Sequence, residues 1–425
     1  MVMPRFLVGG LAASSALLLV AAGTVVWCTH ANSPDALAGA IAKPPPPQPH
    51  WTADTLHQLL AAVDASRDEG LRPQDYRRDA LADALKSGSP DVATLATASA
   101  HDLAHDYADG RITHRARFDW HIQHSPGPLA TMDVDISNAV NTGRLSDYLH
   151  GLLPQDARYL ALRAALTDTP DTESARRDAI RASMERWRWM PRALGADYIW
   201  VNVPTYRLAL YRGDTVAATH DVVVGAPKTP TPMLSATVGS IIVNPWWTLP
   251  PTVLHEGAGR RYSPARGYVY QTIHGKTYIR QKPGPMNALG RMKIDMPNAW
   301  AIYLHDTPSK GGFLQTDRAL SHGCIRVKNI TTLASELYDP AVIDGALQTY
   351  HMKTLPVKAS VPVYIVYFTA APDADGKVVT YGDPYARDAG LIAALDRQPK
   401  AIPRPVSATI AAVTVNRAVP ALKRL

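Results

Sequence analysis

Residues 198–225 read YIWVNVPTYRLALYRGDTVAATHDVVVG, and this stretch decides the class of the second half of the chain. β-Branched and aromatic residues crowd the segments on both sides of Arg212-Gly213-Asp214, a triplet that breaks the pattern as a hairpin turn does. Further strands are expected in SIIVNPWW (240–247), KTYIRQ (276–281), WAIYLHD (300–306) and VPVYIVYFTA (361–370), with one helix near 331–337. Residues 191–370 therefore read as a β-rich domain.

Upstream the period changes from two to 3.6. Leu56, Leu59, Leu60 and Val63 follow i, i+3, i+4, i+7, with Thr52 or Asp54 as N-cap. A second helical segment carries Val92, Leu95, Ala96, Leu103 and Tyr107 and stops at Asp109-Gly110; others are expected over 154–166 and 172–189. The fold class is thus α+β: a helical domain over 51–190, then the β-rich domain over 191–370. A C-terminal extension covers 371–398, and a tail rich in Pro, Arg and Lys covers 399–425.

The N-terminus has an uncharged apolar run from Phe6 to Cys28 behind Arg5, long enough to cross a bilayer. Residues 1–28 thus read as an export signal, either cleaved or kept as a membrane anchor. Residues 29–50 contain Lys43-Pro44-Pro45-Pro46-Pro47 and read as a semi-rigid spacer. An exported, periplasmic or envelope protein is expected, with a possible membrane anchor as its first partner. The net charge of +7 suits anionic surroundings such as lipid surfaces or wall polymers. No long basic block or basic helix is present, so nucleic acid is not expected as a partner.

Against that background SHGCIRV (321–327) stands out. The only other cysteine, Cys28, lies in the export segment, which leaves Cys324 without an evident disulfide partner. A thiol becomes a nucleophile when a base or positive charge helps it ionise. Two histidines are candidates: His322, two residues before the cysteine, and His305, at the end of an expected strand. Gly323 permits a tight turn whose backbone N–H groups could stabilise an oxyanion, and Arg326 adds positive potential. The competing readings are a buried structural cysteine and a zinc set of His305, Asp306, His322 and Cys324; the latter has a single thiolate and no helical histidine pair. His101 and His105 share a helical face but have no third ligand nearby in sequence.

IYLHDTP (302–308) followed by SHGCIRV, with fifteen residues between His305 and Ser321, resembles the catalytic signature of the L,D-transpeptidases with a YkuD-like domain, enzymes that remodel bacterial peptidoglycan. MERWRWMP, VVVGAPKTPTPML, IIVNPWWTLPPTV and the run 278–308 are similar to the large periplasmic branch of that family, in the same order. LRPQDY (71–76) and LAHDYADGRI (103–112) resemble its N-terminal scaffold.

The resemblance implies roles. Cys324 would attack a tetrapeptide stem of peptidoglycan and release D-alanine, with His305 as general base. The thioester would pass to an amine acceptor, giving a 3–3 cross-link. Ser321, His322, Gly323 and Arg326 would form or support the oxyanion site. Tyr278, Arg280, Asn287, Trp246 and Trp247 are groove candidates; for the tryptophans, core packing is the equal alternative. No metal or organic cofactor is expected, and carbapenems would acylate Cys324. An L,D-carboxypeptidase and a catalytically silent wall-binding protein are the rival functions. One departure concerns Arg326, where some relatives have Asn.

Overall fold

The computed structural model describes residues 47–123, 129–256 and 262–397. The apolar segment 1–28, most of the spacer and the tail from 398 lie outside the described residues. Among those described, no helix is long and apolar enough to cross a membrane.

The N-terminal part is helical. Thr52 caps the helix Ala53–Ala65 in a reciprocal capping box with Thr55, so the hydroxyl of Thr52, rather than the carboxylate of Asp54, meets the orphan N–H groups of the first turn. The helices Val92–Asp109, Ala157–Asp168 and Ser174–Arg188 follow the 3.6-residue pattern. Three more, Arg78–Ser87, Met132–Asn141 and Leu145–Gly151, are 10, 10 and 7 residues long, too short for an apolar period to stand out.

MERWRWMP ends this layer and joins it to the next. Glu185 and Arg188 are fully buried and paired at 2.8 Å; Glu185 also accepts the Ile112 N–H at 2.8 Å and the Trp189 indole N–H at 3.2 Å. Trp187 stacks on Trp200 and Phe368 of the β-rich part, with centroids 5.5 and 5.2 Å apart, and the Arg158 guanidinium lies 4.4 Å from the Trp200 ring centroid. The two parts therefore share one apolar core.

The β-rich part is built around the strand Thr215–Gly225. The strands Arg207–Arg212 and Thr215–Gly225 form the expected hairpin, with Gly213 in the left-handed region at φ 57°. Beyond that pairing, the last residues of Thr215–Gly225 pair antiparallel with Ile325–Val327 and parallel with Ala319–Ser321. Ile325–Val327 runs parallel to Leu304–His305, which pairs in turn with Met292–Asp295 and, through it, with Ser240–Val243. A separate three-stranded sheet is made of Trp247–Thr248, Lys276–Gln281 and Tyr268–Ile273. The expected strand 300–306 is shorter than its sequence suggests, because the Asn298 carboxamide accepts the N–H groups of Trp300 and Ile302, each at 3.1 Å, and Ala301 adopts φ 53°. Only Leu304–His305 remains extended in the sheet.

Candidate active site

Strand alternation sorts the residues around the motif into two faces. Leu304, Ile325 and Val327 point into the core and are fully buried. Their neighbours take the other face: His305 lies opposite Arg326 across the parallel pair, and Lys293 lies opposite His305 on the next strand. Tyr303, two residues before His305, sits across from Cys324, with its carbonyl accepting the Ile325 N–H at 3.1 Å. One side of the sheet thus gathers Lys293, Tyr303, His305, Cys324 and Arg326.

His305 is buried, and its Nδ1 donates to the carbonyl of Asp306, which assigns the proton to Nδ1 and leaves Nε2 as the lone-pair nitrogen. Burial, reinforced by the Arg326 guanidinium, pushes its pKa down to about 3, so the ring is a neutral base at ordinary pH. The Tyr303 and His305 rings meet edge to face at 5.6 Å, and the Lys293 ammonium lies 4.1 Å from the Tyr303 ring centroid.

Cys324 is a free, partly exposed thiol whose Sγ lies 3.7 Å from the Ala301 carbonyl. Burial pushes its pKa up; the backbone and side chain of Tyr303, with the charge of Lys293, oppose that in part. Tyr303 belongs to the motif already noted, yet nothing in its spacing marks it; only the register of two distant strands brings it to the thiol.

The turn before Cys324 is locked from inside. Ser321 is buried; its hydroxyl donates to the Cys324 carbonyl at 2.6 Å and accepts the Gly323 N–H at 3.2 Å. Gly323 has φ 112°, while a Cβ there would meet nothing nearer than 3.6 Å, so its glycine answers a backbone requirement rather than a lack of space. With the Gly323 N–H engaged by Ser321, the Cys324 N–H is the next backbone donor along this turn. The His322 side chain is exposed. Arg326 is partly buried, makes no ion pair with another described residue, and has its pKa lowered by burial.

Asp306 faces away from the imidazole: its carboxylate accepts the Arg291 N–H at 2.9 Å and pairs with Lys310, fixing the neighbouring Gly290-Arg291 turn. Of the groove candidates, Asn287 is buried, and its amide donates to the carbonyls of Pro245 and Lys282 at 2.9 and 3.1 Å while accepting the Leu289 N–H at 2.8 Å. Asn287 thus shapes the loop from inside, which corrects its placement among groove-lining side chains. Arg280 stacks on Trp246 at 4.8 Å, and Tyr278 is partly buried under Lys276 at 5.5 Å, both on the three-stranded sheet or its approach. His101 and His105 pair with Asp102 and Asp106 respectively, and no group of three metal-ligating side chains occurs among the described residues.

Comparison with known proteins places these features. Residues 196–365 match the family described as the L,D-transpeptidase catalytic domain (YkuD), and residues 46–166 match a Scaffold domain. A Haemophilus influenzae protein provisionally named as an L,D-transpeptidase is 28% identical over 284 residues, which are 59% of this chain and 57% of that protein. The chain therefore spans a little over half the length of that curated relative. Among solved structures, an L,D-transpeptidase from Mycobacterium smegmatis is 16% identical, covering 40% of this chain and 58% of the other at a TM-score of 0.23. The catalytic domain of an E. faecium L,D-transpeptidase acylated by ertapenem is 18% identical, covering 41% and 98% at a TM-score of 0.21. Both likenesses are too slight to bear on the site. On the two family matches, the chain joins a Scaffold domain to the catalytic domain of the L,D-transpeptidase family.

Proposed function

We propose that this chain is a peptidoglycan L,D-transpeptidase acting through Cys324. The observation that carries the reading is the parallel pairing of Leu304–His305 with Ile325–Val327, which sets a neutral, buried imidazole and a partly exposed free thiol on one face of the sheet within the matched domain. The resting pair is a neutral thiol and a neutral imidazole, since burial disfavours both charged forms. As Sγ attacks the carbonyl between the third stem residue and its terminal D-alanine, its proton passes to His305 Nε2. The tetrahedral oxyanion is met by the Cys324 N–H at the Gly323 turn. Collapse breaks the C–N bond, His305 returns the proton to the leaving amine, and D-alanine departs from a Cys324 thioester. An acceptor amine then gives its proton to His305, attacks the thioester and releases the thiol as a 3–3 cross-link forms.

Arg326 and Lys293 supply positive charge on the same face, suited to a stem peptide that carries carboxylates. Ser321 shapes the turn, while His322 contributes through its backbone. Tyr278, Arg280, Trp246 and Trp247 form the groove wall. A carbapenem, being a strained acyl donor, acylates Cys324 in the same way. The segment 1–28 holds or sends the protein to the envelope, where the substrate is.

The test is mass analysis of disaccharide tetrapeptides after incubation with the wild-type protein and with Cys324→Ala. Release of D-alanine with a stem dimer in the wild type alone is the expected result. Tripeptide without dimer would make the enzyme a carboxypeptidase, and equal behaviour of the two proteins would overturn thiol catalysis.

A further inference from the structure

The segment that follows the matched catalytic domain reaches the back of the nucleophile turn. The loop from Gly225 to Thr231 lies directly behind residues 321–324. The Ser321 carbonyl accepts the Ala226 N–H at 2.8 Å and the Thr229 hydroxyl at 3.1 Å, and the Gly323 carbonyl accepts the Thr231 hydroxyl at 2.7 Å. Thr231 is fully buried and its Oγ1 also accepts the Gly225 N–H at 2.8 Å, which closes the loop on itself. A Cβ on Gly225 would come within 2.2 Å of the Thr229 carbonyl, so this loop has no room to relax there.

What holds the loop is Tyr385, from outside the matched domain. Its hydroxyl donates to the Gly225 carbonyl at 2.6 Å and accepts the Thr231 N–H at 3.1 Å, tying the two ends of the loop together. Tyr385 is in turn fixed by its own surroundings. Its N–H donates to the Tyr367 hydroxyl at 2.9 Å, and the two rings stack at 5.6 Å. The Arg387 guanidinium lies 5.0 Å from the Tyr385 ring centroid and pairs with Asp119 of the N-terminal part. A connected set of hydrogen bonds and ring contacts therefore runs from Asp119 through Arg387, Tyr385 and Thr231 to the carbonyl of Gly323.

We propose that Tyr385 is a positioning residue for the nucleophile turn: through Thr231 it sets the orientation of the Gly323–Cys324 peptide, and with it the direction of the Cys324 N–H. The Gly323 carbonyl and the Cys324 N–H belong to the same peptide plane, so a bond that fixes one fixes the other. This inference rests on the transpeptidase reading for its catalytic consequence, but not for its structural one.

The experiment uses the full chain in wild-type, Tyr385→Phe, Thr231→Val and Thr231→Ser forms, each first shown to be folded by circular dichroism. Hydrogen exchange is expected to rise at the amides of residues 323–325 in Tyr385→Phe and Thr231→Val, while the helical part is unchanged. For tetrapeptide turnover, kcat is expected to fall about ten- to a hundredfold in those two variants with KM unchanged, because displaced catalytic groups cost rate rather than binding. Thr231→Ser, which keeps the hydroxyl, recovers most of that loss. Alkylation of Cys324 by iodoacetamide is expected to run at the wild-type rate in every variant, since it needs no oxyanion donor. Wild-type exchange at 323–325 in a folded Tyr385→Phe protein overturns the proposal, as does equal loss of rate in Thr231→Ser and Thr231→Val. If the wild-type chain turns over no tetrapeptide, the transpeptidase reading fails, and the brace is decided by exchange alone.

Discussion

Tyr303 lies across the strand pairing from Cys324, and its ring makes a T-shaped contact with that of His305 at a centroid distance of 5.6 Å. One residue thus lies beside both proposed members of the acyl-transfer pair.

Tyr303→Phe keeps the ring and removes the hydroxyl. Because that hydroxyl favours the thiolate, its loss leaves burial less opposed and raises the thiol pKa further. The pH profile of Cys324 alkylation by iodoacetamide is expected to move to higher pH; an unmoved profile would show that the hydroxyl does not act on the sulfur.

His305 is held neutral with a pKa of about 3, below the ordinary 6.5. Between those values the unfolded chain binds the extra proton, so this residue's contribution to stability is fully present above pH 6.5 and is lost as pH falls toward 3. The slope approaches about 1.4 kcal/mol per pH unit once the unfolded histidine is protonated. Chemical denaturation between pH 7 and 5 should show a shallower pH dependence for His305→Gln than for the wild type. In activity, His305→Gln is expected to lose about 10²–10⁴-fold; an equal pH slope in the two proteins would contradict a buried neutral ring.

Gly323→Ala introduces a Cβ with space around it but at φ 112°, which an L side chain rarely adopts. The expected cost is about 1–3 kcal/mol of backbone strain, or a turn that shifts to relieve it. Thermal unfolding reads the first and D-alanine release the second. A variant with wild-type stability and wild-type rate would show that the left-handed conformation is not needed.

Glu185→Ala leaves the Arg188 guanidinium buried beside a cavity and removes an acceptor from the Ile112 N–H. Loss of about 3–5 kcal/mol is expected, because breaking a buried pair strands a charge. Urea unfolding checks this, and a change under about 1 kcal/mol would mean that water replaces the carboxylate.

Much of the architecture is legible in local pattern. The 3.6-residue period marks the helices Ala53–Ala65, Val92–Asp109, Ala157–Asp168 and Ser174–Arg188, and the break at Arg212-Gly213-Asp214 marks the central hairpin, because both signals depend on neighbours along the chain. The motif around Cys324 and His305 is legible as well, since each residue type declares its own chemistry.

What the chain alone determined, then, is the helical-then-β order and the identity of a thiol, an imidazole and a glycine turn. Only the tertiary structure decided what they meet. The parallel pairing of Leu304–His305 with Ile325–Val327 sorts Tyr303, Lys293 and Arg326 onto one face; it turns Asp306 away, and buries Asn287 in a loop where its sequence suggested a groove. Tyr385 comes to the loop behind the Cys324 turn from some sixty residues downstream. The physical reason is that sheet pairing is settled by which apolar faces can be buried together, and a hydrogen bond between distant segments leaves no period in the sequence on either side of it.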